Sequence, residues 1–103
     1  VGDMTITGEE KHLFSQAVKV WGQLNELLQF IQEAAEAQQA ATKFLQNDDG
    51  FFPTLDKLAE ELGHLSIMTQ AIIYQLDLED KVNVYRRHTL VKLEARINNA
   101  KKS

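Results

Sequence analysis

Two acidic pairs supply the side chains in this sequence that are best able to hold a divalent cation. Glu33 and Glu36 stand in Gln32-Glu33-Ala34-Ala35-Glu36, an E-x-x-E spacing, and Glu61 and His64 stand in Glu60-Glu61-Leu62-Gly63-His64, an E-x-x-H spacing. Residues three apart share one face of a helix. The pair 33 and 64 and the pair 36 and 61 are both centred on the Asp48-Asp49 bond, inside the turn signal Asn47-Asp48-Asp49-Gly50. Two antiparallel helices meeting around that turn bring Glu33 level with His64 and Glu36 level with Glu61. Three carboxylates and an imidazole at one height are unfavourable unless something cationic sits among them. Carboxylate oxygens suit Mg2+ or Mn2+, ions that keep several waters and bridge to substrate phosphates. His64 tilts the choice toward Mn2+ or a later transition ion, because imidazole suits those ions better.

The opposing reading is that glutamate is a good helix former and that many E-x-x-E pairs are solvated faces. Three details favour a site. Both pairs fall mid-helix and not in a first turn, where the helix dipole alone would favour carboxylates. Ala34, Ala35 and Ala37 around the first pair leave room for a second helix and a ligand. The two pairs also match in height.

The elements that must position these residues are helical. There is one proline, Pro53, glycine is sparse, and apolar residues follow a helical period and not strand alternation. Thr7-Gly8-Glu9-Glu10 reads as a capping box opening a helix to about Val20, with Leu13, Phe14, Ala17 and Val20 inward. Trp21-Gly22 marks a break, glycine weakening a helix interior by roughly 1 kcal/mol. A second helix over about 23–46 turns Leu24, Leu27, Leu28, Ile31, Ala35, Ala41, Phe44 and Leu45 inward. Pro53-Thr54 restarts a third, over about 54–76, with Leu55, Leu58, Leu62, Leu65, Met68, Ile72 and Leu76 on the period. Its second half is apolar nearly all round, which calls for two partners, the second being another subunit in so small a domain. A fourth helix runs from Glu79 or Asp80 to about Asn98, with Val82, Tyr85, Leu90, Leu93 and Ile97 inward. The expected fold is all-α, one domain over 1–103 in an antiparallel bundle of about four helices, with 1–6 and 99–103 as flexible ends.

Composition narrows the function. The chain has 103 residues, 44% hydrophobic and 25% charged, and a net charge of −4 with no basic stripe, which argues against nucleic-acid binding. The absence of cysteine excludes disulfides, thiolate metal sites and cysteine nucleophiles. No apolar run approaches membrane-spanning length and no signal peptide is visible, so no membrane association and a cytoplasmic location are expected. His12 and His88 read as surface residues, and Arg86-Arg87-His88 as a solvated basic patch. Ser15, Thr42, Ser66 and Thr69 have no neighbouring base that would mark a nucleophile. Phe51-Phe52 read as anchors of the turn.

With these residues the sequence resembles the MazG-like group of all-α nucleoside triphosphate pyrophosphohydrolases, a superfamily that includes dimeric dUTPases and phosphoribosyl-ATP pyrophosphatase. Its signature is E-x-x-E on one helix and E-x-x-D on the next. Glu33 and Glu36 match the first motif, and Glu61, in Ala59-Glu60-Glu61-Leu62-Gly63, matches the opening of the second. Trp21-Gly22 upstream and Lys92-Leu93-Glu94-Ala95-Arg96 in the last helix extend the likeness over about residues 12–97. There are two departures: His64 stands where the family has an aspartate ligand, and Gln32 where many relatives have glutamate.

The resemblance implies a bundle completed by dimerisation, as a homodimer or homotetramer, and hydrolysis of a (d)NTP to the monophosphate and pyrophosphate with Mg2+ or Mn2+. Glu33, Glu36 and Glu61 would hold the metal, with His64 as fourth ligand or supporting partner. Glu33 or Glu36 would serve as base. Lys92 and Arg96, one turn apart, are placed to clamp phosphate oxygens, the competing reading being a solvated last turn. Trp21 would either stack on the base or pack in the core. The alternative expectation is a catalytically weakened nucleotide-binding or helical interaction module of the same fold, with His64 as its mark. A third is a purely structural bundle with a fortuitous acidic face.

Overall fold

A computed structural model of the chain describes residues 2–46 and 50–102, all of whose regular structure is helical. The elements are α1 (Gly8–Gln46), α2 (Phe51–Gln75) and α3 (Glu79–Lys101). The first two expected helices are therefore one element, kinked where the sequence places a break. Gly22 has φ 82° and ψ 156° inside α1, a conformation essentially confined to glycine. No atom outside its own neighbourhood lies within 4 Å of where a Cβ would stand. Backbone strain and not crowding is what selects glycine there.

The helix ends follow local chemistry. Thr7 N–H donates to Glu10 Oε1 at 2.9 Å and Glu10 N–H donates to Thr7 Oγ1 at 3.1 Å, the reciprocal capping box. Asn47, Asp48 and Asp49 of the expected turn lie outside the described residues. Gly50, at φ 91°, is the N-cap of α2, so this helix begins at Phe51, ahead of the expected Thr54. Pro53 sits in its first turn, where a missing N–H leaves no helical bond unmade. Thr54 is buried, and its hydroxyl donates to the Gly50 carbonyl at 2.7 Å. Phe51 packs on Phe44 across the helix junction.

At the far end of α2, Asp77 N–H donates to the Tyr74 carbonyl and Leu78 N–H to the Ile73 carbonyl, with Asp77 at φ 55°. These bonds form a Schellman closure.

α1 and α2 are an antiparallel pair. Beyond the junction at Phe44 and Phe51, Gln75 near the end of α2 donates to the Phe14 carbonyl near the start of α1. Ala37 and Ala40 of α1 are buried, small enough to admit α2 closely. The principal core cluster is at the other end: Ile6, Phe14, Ala71 and Ile73, flanked by Met4, Tyr74, Leu78 and Val82.

Residues 2–6, expected as a loose end, contribute Ile6 to that core and are tied to α3. Met4 N–H donates to Asn83 Oδ1, Arg86 Nε to the Gly2 carbonyl, and Arg87 Nη1 to both Asp3 oxygens at 2.8 and 2.7 Å. Arg86 and Arg87 are thus fasteners, not the free basic patch of the sequence reading.

α3 differs most from expectation. It packs on α2 and has no contact with α1 among the described residues. It extends to Lys101, beyond the expected end near Asn98, and from Val84 onward every described residue is exposed. Tyr85, Leu90, Leu93 and Ile97 were expected inward; all are exposed in the single chain. So are Leu13, Val20, Leu24, Leu28, Ile31, Ala35 and Leu45 on α1, Leu55 and Leu62 on α2, and Leu76 at its C-cap. The helical period places these residues on common faces, but one chain holds too few helices to cover them. No helix among the described residues is long and apolar enough to cross a membrane.

Candidate metal centre and the adjoining groove

The hairpin of α1 and α2 brings the two acidic pairs together in the expected register. Glu33 faces His64, with Oε2 3.5 Å from Nδ1, and Glu36 is among the groups that lower the Glu61 pKa. His64 Nδ1 is also 3.8 Å from Glu61 Oε2. One donor atom each from Glu33, Glu61 and His64 lies within 4.8 Å of the others. Ligands about 2.1 Å from a shared ion stand up to about 4 Å apart, so a small inward movement would close this triad on a metal.

Two features suit the triad to a cation. Glu61 is only 4% exposed. The Oε2 atoms of both Glu33 and Glu61 are buried without a hydrogen-bond partner, and these are the two oxygens that face His64 Nδ1. A buried carboxylate oxygen with nothing to accept from is unfavourable, and an ion held between the two would remove that penalty. The donor set of two carboxylates and one imidazole fits a divalent first-row ion.

Lys57 is the site residue that the sequence reading missed. Its Nζ lies 3.0 Å from Glu61 Oε1 and 3.2 Å from Glu60 Oε2. Hydrogen bonding to Lys57 is the main cause holding the Glu61 carboxyl below its ordinary pKa, and the same bond raises that of Lys57. The signal was present: lysine four residues before glutamate shares its helix face. With Lys43 of α1, Lys57 lines a small cleft of about 100 Å3 beside Ala40.

The other expected site residues fall in three places. Glu36 accepts from Gln32 Nε2 at 3.2 Å and stands outside the triad. Trp21 is 61% exposed and lines an open groove of about 800 Å3 at the α1 kink, with Phe14, Glu26, Leu28, Gln32 and Met68 among its other walls. That volume is in the range of small-molecule sites. The groove leads to the acidic centre: Gln29 and Gln32 line it, and they donate to Glu33 and Glu36 respectively. Lys92 and Arg96 stand on the exposed part of α3 and make no ion pair among the described residues. The single chain does not bring α3 against α1.

No family model, curated protein or solved structure matches the chain.

Proposed function

We infer that the protein is a metal-dependent nucleoside triphosphate pyrophosphohydrolase, taking a (d)NTP and water to the (d)NMP and pyrophosphate. The observation that carries this reading is the pair of orphaned, buried carboxylate oxygens of Glu33 and Glu61. They converge with His64 Nδ1 beside a groove of nucleoside size. The motif resemblance to the MazG-like group supplies the reaction class.

Glu33, Glu61 and His64 hold the ion, Mg2+ or Mn2+, which when bound neutralises phosphate charge and lowers the pKa of a bound water. Glu36, close to the triad but not in it, is the carboxylate left to accept the proton of the attacking water. Lys57 and Lys43 offer cations to phosphate oxygens within one chain. Lys92 and Arg96 serve as a clamp only for a site completed by a second copy, which fits a homodimer or homotetramer. The cytoplasm is the compartment this activity calls for.

A weaker alternative has one observation in its favour. His64 is half exposed, and its contacts of 3.5 and 3.8 Å are ionic distances, too long for hydrogen bonds. A nucleotide-binding module with little turnover would tolerate such a ligand.

The test is pyrophosphate release from a panel of (d)NTPs with Mg2+ and with Mn2+. The expected result is metal-dependent turnover lost in Glu36→Gln, by a factor of about 100 or more for a general base. Nucleotide binding without turnover in a folded sample would shift the conclusion to the binding module. Neither binding nor turnover would remove both.

A further inference from the structure

We propose that the groove at the α1 kink selects guanine, with the Glu26 carboxylate reading the base; this rests on the nucleotide reading above and names its substrate class. Glu26 is buried at 6% exposure, mid-helix, and has no cationic partner among the described residues. A buried carboxylate without a cation needs strong hydrogen-bond donors. Glu26 Oε1 accepts from Gln75 Nε2 at 2.7 Å, and the same nitrogen donates to the Phe14 carbonyl at 3.0 Å. Both N–H bonds of that amide are thereby engaged, which fixes the carboxylate against the groove that it lines.

Three amides on α1 line the groove beside Glu26. Asn25 Nδ2 donates to the Trp21 carbonyl at 2.7 Å, Gln29 Nε2 to Glu33 at 3.1 Å and Gln32 Nε2 to Glu36 at 3.2 Å. Each of these amides has one N–H engaged within α1. The Glu26 carboxylate is the acceptor-only group of the groove, and it selects a ligand that presents donors.

Among the common bases only guanine carries two adjacent donors on its pairing edge, N1–H and the 2-amino group. Adenine and cytosine place an acceptor ring nitrogen beside their amino group. Uracil and thymine flank a single N–H with two carbonyls. A carboxylate therefore takes guanine through two parallel charge-assisted bonds and meets an acceptor in each of the others. Trp21 at the rim and Phe14 in the wall supply aromatic surface for the purine. Glu26 precedes Glu33 by seven residues, a rise of about 10 Å along the helix. A base at Glu26 thus directs its phosphates toward the acidic centre.

The experiment is calorimetric titration of the Mn2+-loaded full chain with the α,β-imido analogues of GTP, ITP and ATP. Hypoxanthine lacks only the 2-amino group, so the ITP analogue isolates one of the two bonds. The GTP analogue is expected to bind about tenfold more tightly than the ITP analogue, the worth of one charge-assisted hydrogen bond, and the ATP analogue most weakly. Glu26→Gln should reduce the GTP/ITP ratio to within about twofold, a change that a merely structural role at the kink would not produce. Equal binding of the GTP and ITP analogues by the wild-type protein overturns the guanine assignment while leaving nucleotide binding intact. No binding of any analogue overturns both.

Discussion

Glu61 has two oxygens with opposite circumstances. Oε1 is held by Lys57, while Oε2 is buried and unpartnered toward His64. A divalent ion that binds the folded chain and not the unfolded one should raise the melting temperature. The stabilisation is about 2.7 kcal/mol at a hundredfold excess over Kd. The expected outcome is a Mn2+-induced shift in wild type and none in Glu61→Gln, measured by thermal unfolding with and without chelator. Lys57 competes with the ion for the same carboxylate. Lys57→Met should therefore lower the metal-free melting temperature and enlarge the Mn2+ shift; an unchanged shift would mean that Lys57 and the metal do not compete.

Glu10 gives a pH prediction free of the metal. The Thr7 backbone N–H, followed by its hydroxyl, holds the Glu10 carboxyl below its ordinary pKa of 4.5. A depressed folded-state pKa contributes stability that is present above the unfolded value and is lost as pH falls through the folded one. Denaturant titrations from pH 6 down through the carboxylate range should show Glu10→Gln losing less stability than wild type. Parallel pH profiles would show that the capping box carries no such linkage.

At the scale of elements, the kink decides which face each half of α1 presents. With Gly22 at φ 82° and ψ 156°, any L side chain enters a region that costs of order 1–3 kcal/mol. Gly22→Ala should lower the unfolding free energy by about that amount and disturb the groove, whose walls come from both sides of the kink. Urea unfolding reads the first effect, and Trp21 fluorescence, from the residue beside the glycine, reads the second. An alanine variant of unchanged stability and emission would mean that the helix straightens there without penalty.

At the scale of the molecule, the single chain is extended. Its Cα radius of gyration is 16.7 Å, against about 13 Å for a compact chain of this length. The distal part of α3 is exposed throughout, and α1 exposes Leu24 at 71% and Ile31 at 60%. An apolar surface of this size is one that a partner can cover, and a second copy is the partner proposed above. Sedimentation equilibrium should give a dimer or tetramer, and Ile31→Glu should shift it toward monomer with a lower melting temperature. A wild-type monomer at tens of micromolar would remove the oligomer from the proposal.

The sequence by itself determined whatever depends on near neighbours. Helical periodicity, the Thr7 and Glu10 capping box, the break at Gly22 and the i,i+3 spacing of each acidic pair are set within a few residues of chain. The register of Glu33 with His64 was also legible, because a short connection leaves an antiparallel hairpin few ways to pair. The tertiary structure decided what depends on contacts between distant segments. Periodicity identifies an apolar face but not whether anything covers it, so Leu24, Ile31, Leu93 and Ile97 read as core and are exposed. The fastening of residues 2–6 by Arg86 and Arg87, and the burial of Glu26 under Gln75, join residues some 50 to 84 positions apart. No local pattern encodes such pairs; they exist only once the helices have packed.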